Sequence, residues 1–154
     1  MTVFADSSAL VKRYADEHQH DVVRSITQPL AVSALARVEV PSALWRKYHQ
    51  GEMGLESVGA LVGRFVFDWH GDSAVPPAFA AVDLTGSVLE EAADHVARHR
   101  LRALDAVQLA SALAVRRVDR TTTFAAFDAA LRAAAVAEGF ALIPASVDPD
   151  ATGR

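Results

Sequence analysis

Four acidic side chains in this chain have the type and placement to gather divalent metal: Asp6, Glu39, Asp105 and Asp128. Carboxylates are hard oxygen donors. Several of them within a few ångströms raise one another's pKa, and a divalent cation relieves that repulsion. A metal held in this way lowers the pKa of a bound water and aims it at a phosphodiester, with one ion or two sharing the work. Each acid has an ordinary structural reading as well. Asp6, Asp105 and Asp128 fit helix N-caps, and Glu39 fits a solvated helix acid. What favours the joint reading is coincidence, since all four stand beside an expected strand end or helix start.

The elements that must position them follow from periodicity. Asp6 lies between the apolar Val3-Phe4-Ala5 and the helical run Ser8 to Tyr14, the edge where open α/β sheets bind ligands. Glu39 follows Leu30 to Ser33, Asp105 opens Ala106 to Val115, and Asp128 follows Thr121 to Phe127. Short apolar runs predict strands at 2–5, 29–33, 78–83, 120–125 and 139–143. A weak helix is expected over 16–26 and a stronger one over 33–50, with Val40, Leu44 and Tyr48 four apart. Gly51 and Gly54 interrupt the chain before a helix over 55–69, making a helical hairpin. Thr85 fits the N-cap of a helix through His99, alanine-rich helices span 103–117 and 128–137, and Gly139 ends the last. Strands separated by helices imply parallel pairing through right-handed crossovers.

Composition narrows the classes. With 154 residues and 51% apolar content the chain can bury a core as one domain. It has no cysteine, which excludes disulfides, zinc thiolates and thiol nucleophiles. No run approaches a membrane span and no secretory signal is visible, so the expected compartment is the cytoplasm. The net charge of −4 disfavours nucleic-acid binding by bulk electrostatics but admits it where cations neutralise the carboxylates.

The segments Asp6-Ser7-Ser8-Ala9-Leu10-Val11-Lys12, Arg37-Val38-Glu39-Val40-Pro41-Ser42-Ala43-Leu44, Leu101 to Ala110 with its Leu-Asp-Ala-Val-Gln-Leu-Ala run, and Phe127-Asp128-Ala129-Ala130-Leu131 resemble the PIN-domain ribonucleases. The match is nearest to the VapC toxins of toxin–antitoxin pairs. It covers residues 1–143, leaving 144–154 as a tail expected to be frayed or disordered. The resemblance implies a three-layer α/β sandwich with a parallel sheet in the order 3-2-1-4-5, a Mg²⁺- or Mn²⁺-dependent endoribonuclease, a VapB-type antitoxin and a homodimer. It also implies that Asp6 and Asp105 are the principal metal ligands, that Glu39 and Asp128 complete the pocket directly or through water, and that Ser8 orients the carboxylates. Two residues depart from the pattern: Ala126 stands where a Ser or Thr is frequent, and Pro41 falls inside the helix of Glu39, where a kink is expected.

Other polar residues carry weaker expectations. Lys12 and Arg13 fit RNA-phosphate guides or a solvated helix face, and Arg98, Arg100 and Arg102 fit a basic rim beside Asp105. Glu91, His95 and His99 have the spacing of a helical metal site, yet a solvent-facing flank is expected, with Leu89, Ala92, Ala93 and Val96 as the buried stripe. Trp45 and Trp69 fit core or partner contacts. An inactive PIN-like interaction module would lack one or more of the acids, and all four are here. A haloacid dehalogenase-like phosphatase needs an acid where Ser8 stands, and a receiver domain needs a lysine after the last strand, whereas the lysines are Lys12 and Lys47.

Overall fold

Side chains along the first strand, β1 (Val3–Ala5), alternate between two cores: Val3 and Ala5 enter one face of the sheet and Phe4 the other, as a two-residue period requires. In the computed structural model, which describes residues 1–147, the same alternation recurs in β2 (Leu30–Ser33). The remaining strands are β3 (Phe79–Val82), β4 (Thr123–Ala125) and β5 (Leu142–Ile143), and every pairing is parallel in the order β3-β2-β1-β4-β5. The expected order therefore holds.

Helices cover both faces. One core is built on β1 and β2 with α1 (Ser7–Val11), α3 (Ala36–His49) and α4 (Leu55–His70). The other packs α5 (Gly86–His99), α6 (Ala103–Val118) and α7 (Ala129–Ala137) around Phe4 and Phe124. A short α2 (His20–Arg24) is all that forms of the helix expected over 16–26, because Gln19 takes a left-handed conformation at φ 59°. Ser33 belongs to β2, so α3 starts later than its periodicity suggests. Pro41 sits inside α3, which continues through it to His49. The carbonyl its missing N–H would have served belongs to the exposed Arg37, where water is available.

The hairpin turns at Gly51, with φ +76°. Its second helix buries Phe65, which meets Tyr14 edge-on at 5.6 Å and packs on Trp69 and Phe79. Burial of such a ring stabilises by about 1.5–3 kcal/mol. Trp69 therefore lies against the core, whereas Trp45 is on the surface, edge-on to Tyr48. Gly71, at φ +62°, is required: a Cβ there would overlap the Val75 carbonyl.

One helix is rotated from its expected phase. The residues of α5 that face the core are Val88, Ala92 and His95, while Leu89 and Val96 are exposed. Two apolar stripes run along α5 one residue apart, about 100° around the axis, and packing on α6 selects the one that contains a histidine. At the C-terminal end, Arg132 donates to the Pro144 and Ala145 carbonyls at 2.9 and 3.2 Å. The rest of the expected tail, 148–154, lies outside the described residues.

Candidate active site

The switch point of the sheet is β1, whose neighbours β2 and β4 are reached on opposite sides. A crevice opens beyond the carboxyl end of such a strand, and the chain delivers its acids there. Asp6 leaves β1 with its N–H donating to the Ala125 carbonyl at 3.0 Å and becomes the N-cap of α1. Its Oδ1 accepts from the Ala9 N–H at 2.7 Å, and the Ser8 hydroxyl reaches Oδ1 and Oδ2 at 2.9 and 2.8 Å. Asp128 likewise caps α7, accepting from the Leu131 N–H at 2.9 Å. The capping reading of these two residues therefore holds. Asp105 is not a cap. It projects from the first turn of α6, behind Arg102 at the N-cap, where the helix dipole favours negative charge. Glu39, from the first turn of α3, is held by its neighbours.

Those neighbours were not assigned a role from sequence. The Ser7 hydroxyl donates to Glu39 Oε2 at 2.5 Å, and Gln108 Nε2 donates to both Ser7 Oγ and Glu39 Oε2 at 2.8 Å. Spacing could have found Gln108, which stands three residues after Asp105 and so shares its side of α6. Arg46, seven after Glu39 on α3, was missed in the same way. It lines a cavity of ≈ 380 Å³ together with Ser8, Lys12, Glu39, Phe127 and Asp128.

The acids act on one another. Burial pushes the Asp6 carboxyl up to about 7, opposed by the Ala9 and Ser8 hydrogen bonds and reinforced by the charges of Asp105 and Glu39. Asp105 is also raised, first by burial and then by Asp128 and Glu39, with Arg102 pulling the other way. Asp6 is thus coupled to Asp105 and Glu39, and Asp105 to Asp128 and Glu39. No ion pair links any of them to a Lys or Arg among the described residues.

The basic residues divide. Lys12 is neither a free guide nor a solvated face: it is buried, pairs with Glu17 at 3.2 Å, donates to the His18 carbonyl at 2.8 Å and lies over the Phe127 ring. Arg13 opens on a separate pocket with Arg24 and Arg64. Arg102 stays beside Asp105, Arg100 is exposed in a left-handed turn at φ 54°, and Arg98 turns away to Glu138 at 3.3 Å. Of the three, Arg98 is thus engaged elsewhere, while Arg46 joins the cavity lining from α3. Ala126 has no polar side chain and packs in the core, and its carbonyl accepts from Arg132 at 2.8 Å.

No family model matches the chain. Two relatives do: Ribonuclease VapC45 of Mycobacterium tuberculosis (strain CDC 1551 / Oshkosh) and Ribonuclease VapC49 of Mycobacterium tuberculosis (strain ATCC 25618 / H37Rv), each 36% identical over 151 residues that span 96% of this chain and 98% of the relative. The chain belongs to the VapC ribonuclease family. A solved toxin–antitoxin complex from Klebsiella pneumoniae aligns over 82% of this chain and 86% of its own, with TM-score 0.51 and 16% identity, which is a likeness of fold. This VapC chain thus has the five-stranded parallel sheet expected of it, and among its described residues no helix is long and apolar enough to cross a membrane.

A second cluster lies at the far end of α7. His99 Nε2 donates to Glu138 Oε1 at 2.7 Å, Arg98 adds a contact at 3.3 Å, and His95 Nδ1 stands 3.8 Å away. His95 is 2% exposed, and burial lowers its pKa. The solvent-facing flank expected for this histidine is overturned by the phase of α5.

Proposed function

We propose that residues 1–143 of this VapC chain are a divalent-metal-dependent endoribonuclease, the cytoplasmic toxin of a VapBC-type pair with RNA as substrate and a VapB-type antitoxin as partner. One observation carries the reading: Asp6, raised to about 7 chiefly by burial, feels the charges of Asp105 and Glu39, and Asp105 in turn feels Asp128. Relatives named as ribonucleases along nearly the whole chain support it. So does a structural neighbour described as a toxin–antitoxin complex.

The donor set suits Mg²⁺ or Mn²⁺, since every candidate ligand is a hard carboxylate oxygen and none is sulfur or imidazole. Asp6 and Asp105 would hold the ion, with Glu39 and Asp128 completing the site directly or through water. When bound, such an ion supplies Lewis acidity and a water of lowered pKa for attack on phosphorus. The protein's part is positioning. Ser8 donates to the Asp6 carboxylate and fixes its rotamer, while Ser7 and Gln108 fix Glu39. Arg46 and Arg102 offer guanidinium groups to the RNA backbone at the rim. The exposed Trp45, Leu55, Val66 and Phe67 of the hairpin support a homodimer.

The test is RNA cleavage by the metal-stripped full chain. Mg²⁺ or Mn²⁺ should restore cutting and leave 5′-phosphate and 3′-hydroxyl ends, because a water nucleophile makes no use of the ribose 2′-hydroxyl. Full activity in excess EDTA, or 2′,3′-cyclic phosphate ends, would overturn the mechanism.

A further inference from the structure

We propose that His95, His99 and Glu138 form a second metal site, built for a divalent ion of the zinc class and separate from the carboxylate pocket. One ligand atom from each residue lies within 4.8 Å of the other two. Zinc bonds of about 2.0–2.1 Å place tetrahedral ligands about 3.3 Å apart. The two measured separations from Glu138 Oε1, 2.7 Å to His99 Nε2 and 3.8 Å to His95 Nδ1, straddle that value. The His95 and His99 ligand atoms lie within 4.8 Å of each other, so binding would draw the three inward.

His95 supplies the independent observation. It is almost fully buried, yet neither ring nitrogen has a hydrogen-bond partner among the described residues. A buried polar group left unpaired costs about 1–3 kcal/mol. An aliphatic side chain would serve the α5–α6 contact better if packing were its purpose. The i,i+4 spacing places His99 over it, with ring centroids 5.5 Å apart and planes 26° apart.

The surroundings have the order of a metal site's outer shell. If the ion takes His95 Nδ1, then Nε2 faces Glu91 Oε1 at 3.9 Å, and Arg117 holds that carboxylate at 2.6 Å. A carboxylate behind a ligating imidazole fixes its tautomer and orientation. Arg116 anchors the third ligand by donating to the Glu138 backbone carbonyl at 2.5 Å. The ion takes the place of the hydrogen that His99 Nε2 now donates, and the exposed Arg98 yields its contact with Glu138. The adjoining cavity, ≈ 610 Å³, is lined by Arg98, Arg116, Arg117 and Arg120. Glu91 and Glu138 line the same cavity and pair with Arg117 and Arg98, and two imidazole ligands favour ions of the zinc class over Mg²⁺. Bound there, an ion would tie the last turn of α5, six residues before Asp105, to the end of α7.

The experiment uses the untagged full chain carrying Asp6→Asn and Asp105→Asn, so that the carboxylate pocket does not bind. Titration with Zn²⁺ should give one equivalent, Co²⁺ should give visible d–d absorption, and the melting temperature should rise by about 3 °C or more, with no response to Mg²⁺. His99→Gln and Glu138→Gln, both at partly exposed positions and checked for fold by circular dichroism, should each weaken binding about tenfold or more. Glu91→Gln should weaken it by a similar factor. Absence of Zn²⁺ binding in this background, or binding indifferent to both His99→Gln and Glu138→Gln, overturns the proposal and leaves the ribonuclease reading untouched.

Discussion

The two ends of α7, about 15 Å apart along its axis, treat acidic side chains in opposite ways. At the N-terminal end Asp128 stands with Asp6, Asp105 and Glu39, and the partners these acids find are hydroxyl, amide and backbone N–H groups. At the C-terminal end Glu138 meets His99 and Arg98, and nearby Glu91 meets Arg117. The carboxyl pKa values follow: Asp6 and Asp105 are raised, chiefly by burial, and Glu138 is lowered, chiefly by His99. Counting acids would not tell the clusters apart. What distinguishes the first is that no Lys or Arg among the described residues pairs with its carboxylates, the condition the proposed cation would meet.

The largest expected effect breaks the first cluster. Asp6→Asn or Asp105→Asn should lower RNA cleavage at saturating Mg²⁺ by about 10³-fold or more, and should relieve growth arrest in a bacterial host while soluble protein still accumulates. Arrest that persists with both substitutions would favour the binding-module reading.

The next effects exploit sign. In metal-free protein Asp6 is protonated below about 7 when folded, whereas its ordinary value is 3.8. Stability should therefore fall as pH rises from about 4 to 7, and remain lowered above that. Asp6→Asn keeps a cap oxygen and removes the charge, so the variant should be more stable than wild type at pH 8 by about 1–3 kcal/mol in urea unfolding, with the gap shrinking at pH 5. Glu138→Gln should do the reverse. Its folded pKa is lowered from 4.5, so its contribution is present above that value and is lost as pH falls through the folded one. The substitution should cost about 1 kcal/mol at pH 7 and less on acidification. If both amide substitutions shift stability in the same direction, the contrast between the two ends is wrong.

The smallest effect concerns the rim. Arg46→Ala and Arg102→Ala should each weaken RNA binding about two- to fivefold and reduce the slope of log affinity against log salt by about 1, with kcat less affected. Filter binding at several salt concentrations reads this directly.

Much of the first cluster was legible because each acid is tied to a local signal. Asp6 and Asp128 follow short apolar runs and precede helices, and Asp105 opens an apolar helix, so sequence neighbours alone place them at the sheet edge. The strand positions were legible for the same reason. The second cluster was not. Hydrophobicity favours the stripe of Leu89, Ala92, Ala93 and Val96, whereas the face that packs is that of Val88, Ala92 and His95, a choice made by tertiary packing and not readable within the helix. Lys12 and Arg98 show a related limit. A long flexible side chain takes the direction of its partners, and those partners, Glu17 with the His18 carbonyl and Glu138, are brought near by tertiary folding.

Because Asp6 and Asp128 cap α1 and α7 with the same carboxylates that the proposed function assigns to the metal, that reading makes loss of activity and loss of fold separable by one atom. Asparagine retains an oxygen for the cap, and alanine does not. An aspartate codon becomes an asparagine codon by a single base change. A lineage under pressure from its own nuclease thus has a short mutational exit that silences the enzyme yet leaves a folded protein in place, still able to occupy whatever binds the native surface.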